Sequence, residues 1–309
     1  MSDLDPRRNA PSVWGGIVTF NPGIERLIEN VDAIAPQVDR LLVFDNGSDN
    51  VAEICRAVDG RAKVIQGHDN HGMAVALNTL ASVAEKGRAT DIVFLDQDSI
   101  AAKDLVAREA ACRSDDVGLV CCLVIDRNHK ETGREEPTVC DVKRAITSGS
   151  MVNLAAWRAV GGYDERLFVD WVDNEFVDNL RSRGFRLVKT SHASILHELG
   201  NQEYAWSVPG GGDRGKKHYY RQNYPAWRWR DRALSQVITI RKYGWSRIGW
   251  EERYYFLRAT LGRILVLEKN KLECLRAVID GCKSGYRARL TPLGNRKGRY
   301  EACGDTEGK

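Results

Sequence analysis

Between Val13 and Leu95, four short apolar runs suited to strands are separated by three segments whose apolar residues recur at helical spacing. That change of period restricts the fold more than any other feature of the chain. Val13–Phe20 (VWGGIVTF) ends at the turn Asn21-Pro22-Gly23, and residues 24–35 then place Ile24, Leu27, Ile28, Val31 and Ile34 on one helical face. Leu41–Phe44, Lys63–Gln66 and Ile92–Leu95 read as further strands, with helices over Val51–Val58 and Met73–Ala84. Strands this continuously apolar must be covered on both faces, which predicts an α/β domain with a mainly parallel sheet flanked by helices. In such sheets ligands gather beyond the carboxyl ends of the strands. Three polar segments fall there: Thr19–Asn21, Asp45–Ser48 and Asp96–Ser99.

Further along, Val117–Ile125 and Ile146–Asn153 read as strands, Asp173–Ser182 as a helix, and Phe185–Leu196 as a strand leading to His197. At Gly210-Gly211-Gly212 the composition turns to Trp, Tyr and Arg, so the expected division is a polar lead over 1–12, an α/β domain over 13–210 and a mostly helical region over 211–309. Charge divides in nearly the same place. Residues 216–309 hold 22 Lys and Arg against 9 Asp and Glu, leaving 24 against 33 for the rest. A basic tail on an acidic body suits an anionic partner, whether a phospholipid surface, a lipid diphosphate or nucleic acid, and it equally suits a solvated helical face docked on the body.

The eight cysteines include no CxxC pair and no zinc-like spacing, and they read as reduced thiols. The opening MSDLDPRRNAPS lacks the apolar stretch of a secretory leader, and no run approaches the ~20 apolar residues needed to span a bilayer. The expected location is the cytoplasm, or the inner face of the cytoplasmic membrane as a peripheral protein. In the tail, Tyr254, Leu257, Leu261, Ile264 and Leu265 form an apolar helical stripe beside Arg253, Arg258 and Arg263. Such a stripe fits a membrane surface or packing against protein.

Three features carry chemistry. Asp96-Gln97-Asp98 directly follows the strand IVFL, so two carboxylates can reach one hard divalent cation; loop-capping aspartates are the plain alternative. His197 follows a strand and is either a further ligand or a hydrogen-bonded structural residue. Asp170, Asp173, Glu175 and Asp178 crowd the start of one helix, where capping explains one or two carboxylates and a general base would explain the rest.

The ordered segments VTFNP, FDNGS, NHGMAVALN, FLDQDS, ITSGSMVN, GGYDERLFVDWVDNEF and HELG resemble the inverting glycosyltransferases of the GT-A, family-2 type, and among these the bacterial rhamnosyltransferases. The resemblance covers about residues 13–200, with a weaker echo in KHYYRQN (217–223). It implies that 13–210 is a GT-A catalytic domain using a nucleotide-sugar with Mg²⁺ or Mn²⁺. Carried over by position, Thr19, Asn21, Asp45, Asn46, Asn70, Gly72, Asn78 and Asp96 would bind the donor, while Asp98, His197 and Asp96 would hold the metal. Asp173 would be the catalytic base, and Ser148, Gly149, Trp171 and Glu175 would face sugar or acceptor. Where the family has an arginine six residues after the base, this chain has Asn179, with Arg181 nearby.

The implied reaction moves a sugar, L-rhamnose from dTDP-L-rhamnose, to a hydroxyl of a glycan or lipid-diphosphate-linked acceptor. A UDP-linked hexose or galactofuranose donor is the alternative. A nucleic-acid or anionic-surface binding module is the rival of a different class, since basic and aromatic residues alternate between Tyr219 and Arg232. That rival leaves the carboxylates without a role, and nucleic acid is not an expected partner. A dinucleotide oxidoreductase would need a glycine fingerprint after the first strand, where the chain reads TFNPGIERL.

Overall fold

The structure, a computed structural model, describes residues 11–127, 138–197, 203–209 and 216–290. The described residues of Met1–Glu165 and Asp173–Glu198 form one compact unit, and those of Arg166–Val172 and Leu199–Pro292 form a second. The HELG segment beyond His197 and the glycine run at 210–212 lie outside the described residues.

Unit 1 is built on a nine-stranded mixed sheet. Its first half is parallel: β1 (Val13–Thr19) lies between β2 (Arg40–Asp45) and β4 (Asp91–Asp96), with β3 (Lys63–Gln66) on the far side of β2. Helices α1 (Ile24–Ile34), α2 (Val51–Val58) and α3 (Met73–Lys86) make the crossovers that parallel strands require. α1 buries Leu27, Val31 and Ile34, the stripe that its helical spacing defines, into a core with Ile17, Val43 and Ile54. The second half departs from simple alternation. Strand β8 (Ser150–Asn153) runs antiparallel between β4 and β6 (Val117–Asp126), and β6 then pairs in parallel with β9 (Arg186–His197). Short strands β5 (Ile100–Ala101) and β7 (Val139–Asp141) pair antiparallel with β9.

The strand expected over Ile146–Asn153 starts only at Ser150, because residues 146–149 fold into a turn. The Ser150 amide donates to the Thr147 carbonyl (3.1 Å) and the Ser150 hydroxyl to the Ile146 carbonyl (2.6 Å). Gly149 permits that turn with φ +69°, and a Cβ there would come within 2.8 Å of Cys122 Sγ and Ile195. Asn153 then ends the strand and caps α5 (Leu154–Val160), its Oδ1 accepting from the amides of Ala155 and Ala156. The helices α4 (Leu105–Ala110) and α6 (Val172–Ser182) complete the unit's helical cover.

Unit 2 contains the hairpin β10 (Glu203–Pro209) and β11 (Lys216–Arg221), followed by α7 (Ala226–Tyr243), α8 (Arg247–Tyr255), a π-helical stretch Phe256–Gly262, α9 (Arg263–Val266) and α10 (Lys271–Arg287). Trp229, Ala233, Ile264, Cys274 and Val278 form its small apolar core. Among the described residues no helix is long and apolar enough to cross a membrane, and the described cysteines are all free.

Candidate active site

The carboxyl ends of β1, β2 and β4 converge, and each polar segment following them is held by the others. Thr19, fully buried at the end of β1, donates from its hydroxyl toward the Phe44 carbonyl and Asp45 Oδ1, both at 3.3 Å. Asp45 Oδ2 accepts the Ser48 amide at 3.1 Å. Asn46 joins this turn to the next: its Oδ1 accepts the His71 amide (2.9 Å) and its Nδ2 donates to Asn70 Oδ1 (3.0 Å). Asn70 Oδ1 also accepts the amide of Gly72, whose φ of +86° only glycine adopts readily. Asn21 is exposed, and its Oδ1 accepts the Asp49 amide at 2.8 Å. These residues therefore share one rim, rigidified by side-chain to backbone bonds.

Asn78 has a different setting. Its amide is consumed inside the unit, accepting from Trp157 Nε1 (3.0 Å) and the Tyr163 amide (2.8 Å) while donating to the Tyr163 carbonyl (2.9 Å). It pins the loop after α5, and the residues around it explain its presence without a ligand.

At the end of β4, Asp96, Asp98 and His197 each offer one ligand atom, all within 4.8 Å of one another. His197 Nε2 lies 4.0 Å from Asp96 Oδ2, and its Nδ1 lies 3.7 Å from Asp98 Oδ1. The last oxygen is buried and makes no hydrogen bond, the state of a carboxylate atom shaped for a cation. Burial pushes the Asp96 carboxyl up to about 6; His197 pulls it down, and the charges of Asp98 and Asp173 add to the rise. Like charges held this close favour either protonation or a divalent ion. The donor set of two carboxylates and one imidazole suits Mn²⁺ or Mg²⁺.

The histidine is oriented by a hydroxyl pair that sequence reasoning missed. Ser99 Oγ is 2.8 Å from His197 Nδ1 and 2.8 Å from Ser148 Oγ, and Ser148 Oγ accepts the Asp96 amide at 3.0 Å. Both serines are buried. Engaging Nδ1 with Ser99 leaves Nε2 as the nitrogen available to a ligand. Ser148 thus supports the acidic cluster from behind, which is the structural role of the turn that Gly149 makes possible.

The four carboxylates around the start of α6 separate by environment. Asp178 is buried and paired with Arg144 (3.1 Å) and Arg181 (2.7 Å). Glu175 is fully buried. Asp173 is half-buried, accepts the Asn174 amide at 2.8 Å, and its charge is felt at both Asp96 and the Tyr163 hydroxyl. Of the three in unit 1, Asp173 is the one not fully buried. Asn179 donates to the Val160 carbonyl at 3.0 Å, so it fixes α6 to the end of α5, and Arg181 serves Asp178 rather than solvent.

In unit 2, Asp170 pairs with Arg228 at 3.0 Å. Trp171 is buried there, with Nε1 donating to Glu252 and the Arg232 guanidinium over its ring. Trp171 also holds φ +72°, an uncommon conformation for a bulky residue. Its aromatic surface is spent on packing within that unit.

Known proteins share this fold. The structure of Staphylococcus aureus TarS residues 1–349 in complex with UDP-GlcNAc superposes with a TM-score of 0.59 at 15% identity, over 88% of this chain and 81% of that one. GalNAc-T7 with UDP, GalNAc and Mn²⁺ gives a TM-score of 0.59 at 13% identity over 88% of this chain, which spans only 55% of the GalNAc-T7 chain. The mixed sheet, with its acidic strand end, is thus the GT-A glycosyltransferase fold. Residues 16–153 match the model of glycosyl transferase family 2. By sequence it is similar to the dTDP-rhamnosyl transferase RfbF of Shigella flexneri, 25% identical over 298 residues that cover 89% of this chain and 96% of that protein.

Proposed function

We propose that this protein is an inverting, metal-dependent glycosyltransferase that moves L-rhamnose from dTDP-L-rhamnose to a hydroxyl of a glycan or lipid-diphosphate-linked acceptor. The observation that carries the reading is the cluster of Asp96 and Asp98, which lie within the stretch matching the family-2 model, with His197 from the end of β9 and with Asp173 close enough to perturb it. The similarity to a dTDP-rhamnosyl transferase supports the choice of donor.

In this reading Thr19, Asn21, Asp45, Asn46, Asn70 and Gly72 form the rim that receives the nucleoside, with Asp96 at its inner end. Asp98 and His197, with Asp96, would hold Mg²⁺ or Mn²⁺, and the ion would supply positive charge to offset that on the departing diphosphate. Asp173 takes the proton from the acceptor hydroxyl as that oxygen attacks the anomeric carbon. The bond from that carbon to the diphosphate oxygen breaks on the opposite face, so one displacement inverts the configuration. The sugar passes through an oxocarbenium-like state, as glycosidic carbons do. Ser148 and Gly149 contribute by shaping the turn behind the acidic cluster. The reading draws no sugar contact from Trp171, which packs within unit 2, from Asn78, which is bonded to Trp157 and Tyr163, or from the fully buried Glu175.

A UDP-sugar is the second reading, because the TarS and GalNAc-T7 structures hold UDP-linked or UDP ligands. Nucleoside diphosphate release from a panel of nucleotide-sugars with Mg²⁺ or Mn²⁺ decides between them. The expected outcome is turnover of dTDP-rhamnose. Asp173→Asn should retain thermal stabilisation by dTDP with metal yet lose about 10²- to 10⁴-fold in rate. Turnover of a UDP-sugar alone would transfer the reading to the second donor, and undiminished turnover in Asp173→Asn would remove the base assignment.

A further inference from the structure

The helical stretch from Arg247 to Val266 in unit 2 buries charged and polar side chains and leaves large apolar ones exposed. Its inward face carries Glu252 and Thr260, both at 0% exposure. Glu252 accepts from Trp171 Nε1, and the Thr260 hydroxyl donates to Gln236 Oε1 at 2.7 Å while accepting from Arg232 Nε at 3.1 Å. Its outward face carries Trp250, Tyr254 and Leu257, at 57%, 58% and 61% exposure. Leu265 and Val266 continue this exposed apolar surface, and Trp245 stands 75% exposed just before the helix. A helix stabilised against water buries its apolar stripe and exposes its polar one. Here Glu252 and Thr260 are bonded inside alongside the buried Ile264, while Trp250, Tyr254 and Leu257 are left outside.

The outward face is also organised. The rings of Trp245 and Trp250 lie 5.4 Å apart, and the Arg253 guanidinium sits over both, 4.4 Å from the first and 5.5 Å from the second. Arg253 is fixed in turn by the carbonyls of Gly244 and Gly249, the latter at 2.9 Å. Arg258 lies over Tyr254 at 5.6 Å, and Arg247, 81% exposed at the helix start, pairs with Glu251 at 3.5 Å. Ordering exposed tryptophans in advance reduces the entropy lost when they insert into a partner.

We propose that this face is a docking surface for an anionic phospholipid membrane, with Trp245, Trp250, Tyr254 and Leu257 entering the headgroup region and the flanking arginines meeting lipid phosphates. Charge complementarity selects this partner. The region from 216 onward holds 22 basic residues against 9 acidic ones, and mixed Trp, aliphatic and Arg surfaces are what an interface between water and acyl chains favours. A second copy of the chain is a poorer fit, because it would bring the same arginines together at the centre of a contact that normally excludes charge. The inference rests on unit 2 alone and goes beyond the transferase reading, giving a lipid-linked acceptor a surface at which to be met.

The test is flotation of the full chain with phosphatidylglycerol-containing vesicles and with pure phosphatidylcholine vesicles, following tryptophan emission. Binding to the anionic vesicles with a blue shift is expected, weaker at high salt and at least tenfold weaker for Trp245→Ser/Trp250→Ser. Arg247→Glu/Arg258→Glu should weaken anionic binding without altering circular dichroism. Asp98→Ala should float as the parent does, so loss of the metal site and loss of the lipid surface are read separately. Absence of flotation with anionic vesicles, flotation unaffected by either double variant, or concentration-dependent dimerisation that the Trp double variant abolishes would overturn the proposal.

Discussion

Single residues divide into those whose role is written locally and those whose role depends on distant partners. Asp96 and Asp98 were legible because a strand end and a two-residue spacing suffice to bring two carboxylates together. The serine pair was not: Ser99 meets Ser148 across 49 residues and His197 across 98, and nothing in a lone Ser-Ile or Thr-Ser-Gly segment announces that meeting. Removing the hydroxyl that holds Nδ1 should release the imidazole. Ser99→Ala is therefore expected to bind Mn²⁺ about 10- to 100-fold more weakly, the effect typical of losing a group that orients a metal ligand. A Mn²⁺ titration followed by thermal shift measures it, and unchanged affinity would show that His197 needs no such support. The acidic start of α6 illustrates the same limit. Sequence places four carboxylates together, but only the arginines beside Asp178 and Asp170 reveal which of them are already neutralised.

At the scale of elements, the first half of unit 1 follows its sequence almost residue for residue, since α2 and β3 occupy the spans that periodicity assigns, Val51–Val58 and Lys63–Gln66. Long, strongly periodic segments carry their own instructions. The short pieces do not: β5 has two residues and β7 three, too few to show any period, and both exist because β9 offers them an edge. α4 holds a second surprise, Glu109, fully buried with neither carboxylate oxygen hydrogen-bonded. Burial raises its carboxyl well above 4.5. The folded state then keeps a proton that the unfolded chain releases above 4.5, so stability from this group is complete below that pH and is lost as pH rises toward the folded value. Glu109→Leu should therefore stabilise the protein by about 1–3 kcal/mol near pH 8 and by less near pH 4.5. Urea denaturation at the two pH values checks this. Equal effects at both would mean that Glu109 is not held protonated by its surroundings.

Across the molecule, composition revealed the division of charge between an acidic body and a basic tail but not the polarity of the tail's helices. The stripe expected through Ile264 is instead split by the π-helical turn. Ile264 is buried beside Trp229, while Leu257 and Leu265 face outward, because a π turn advances the helix by more residues than the regular spacing assumes. The GT-A fold was legible from the order of motifs along the first two hundred residues, and the comparisons agree with it. Donor identity was not legible in the same way, since the rim formed by Thr19, Asp45, Asn46 and Asn70 is defined mainly by bonds among its own residues.

The central claim is that Asp96, Asp98 and His197 hold a divalent cation that carries a nucleoside diphosphate. Electron paramagnetic resonance of Mn²⁺ titrated into the protein, with and without dTDP and beside Asp98→Ala, tests it most directly. The account predicts one bound Mn²⁺ per chain, tighter in the presence of dTDP, and neither binding nor coupling in Asp98→Ala. Mn²⁺ that stays free in the parent protein with dTDP present, or binds equally well to Asp98→Ala, would contradict it.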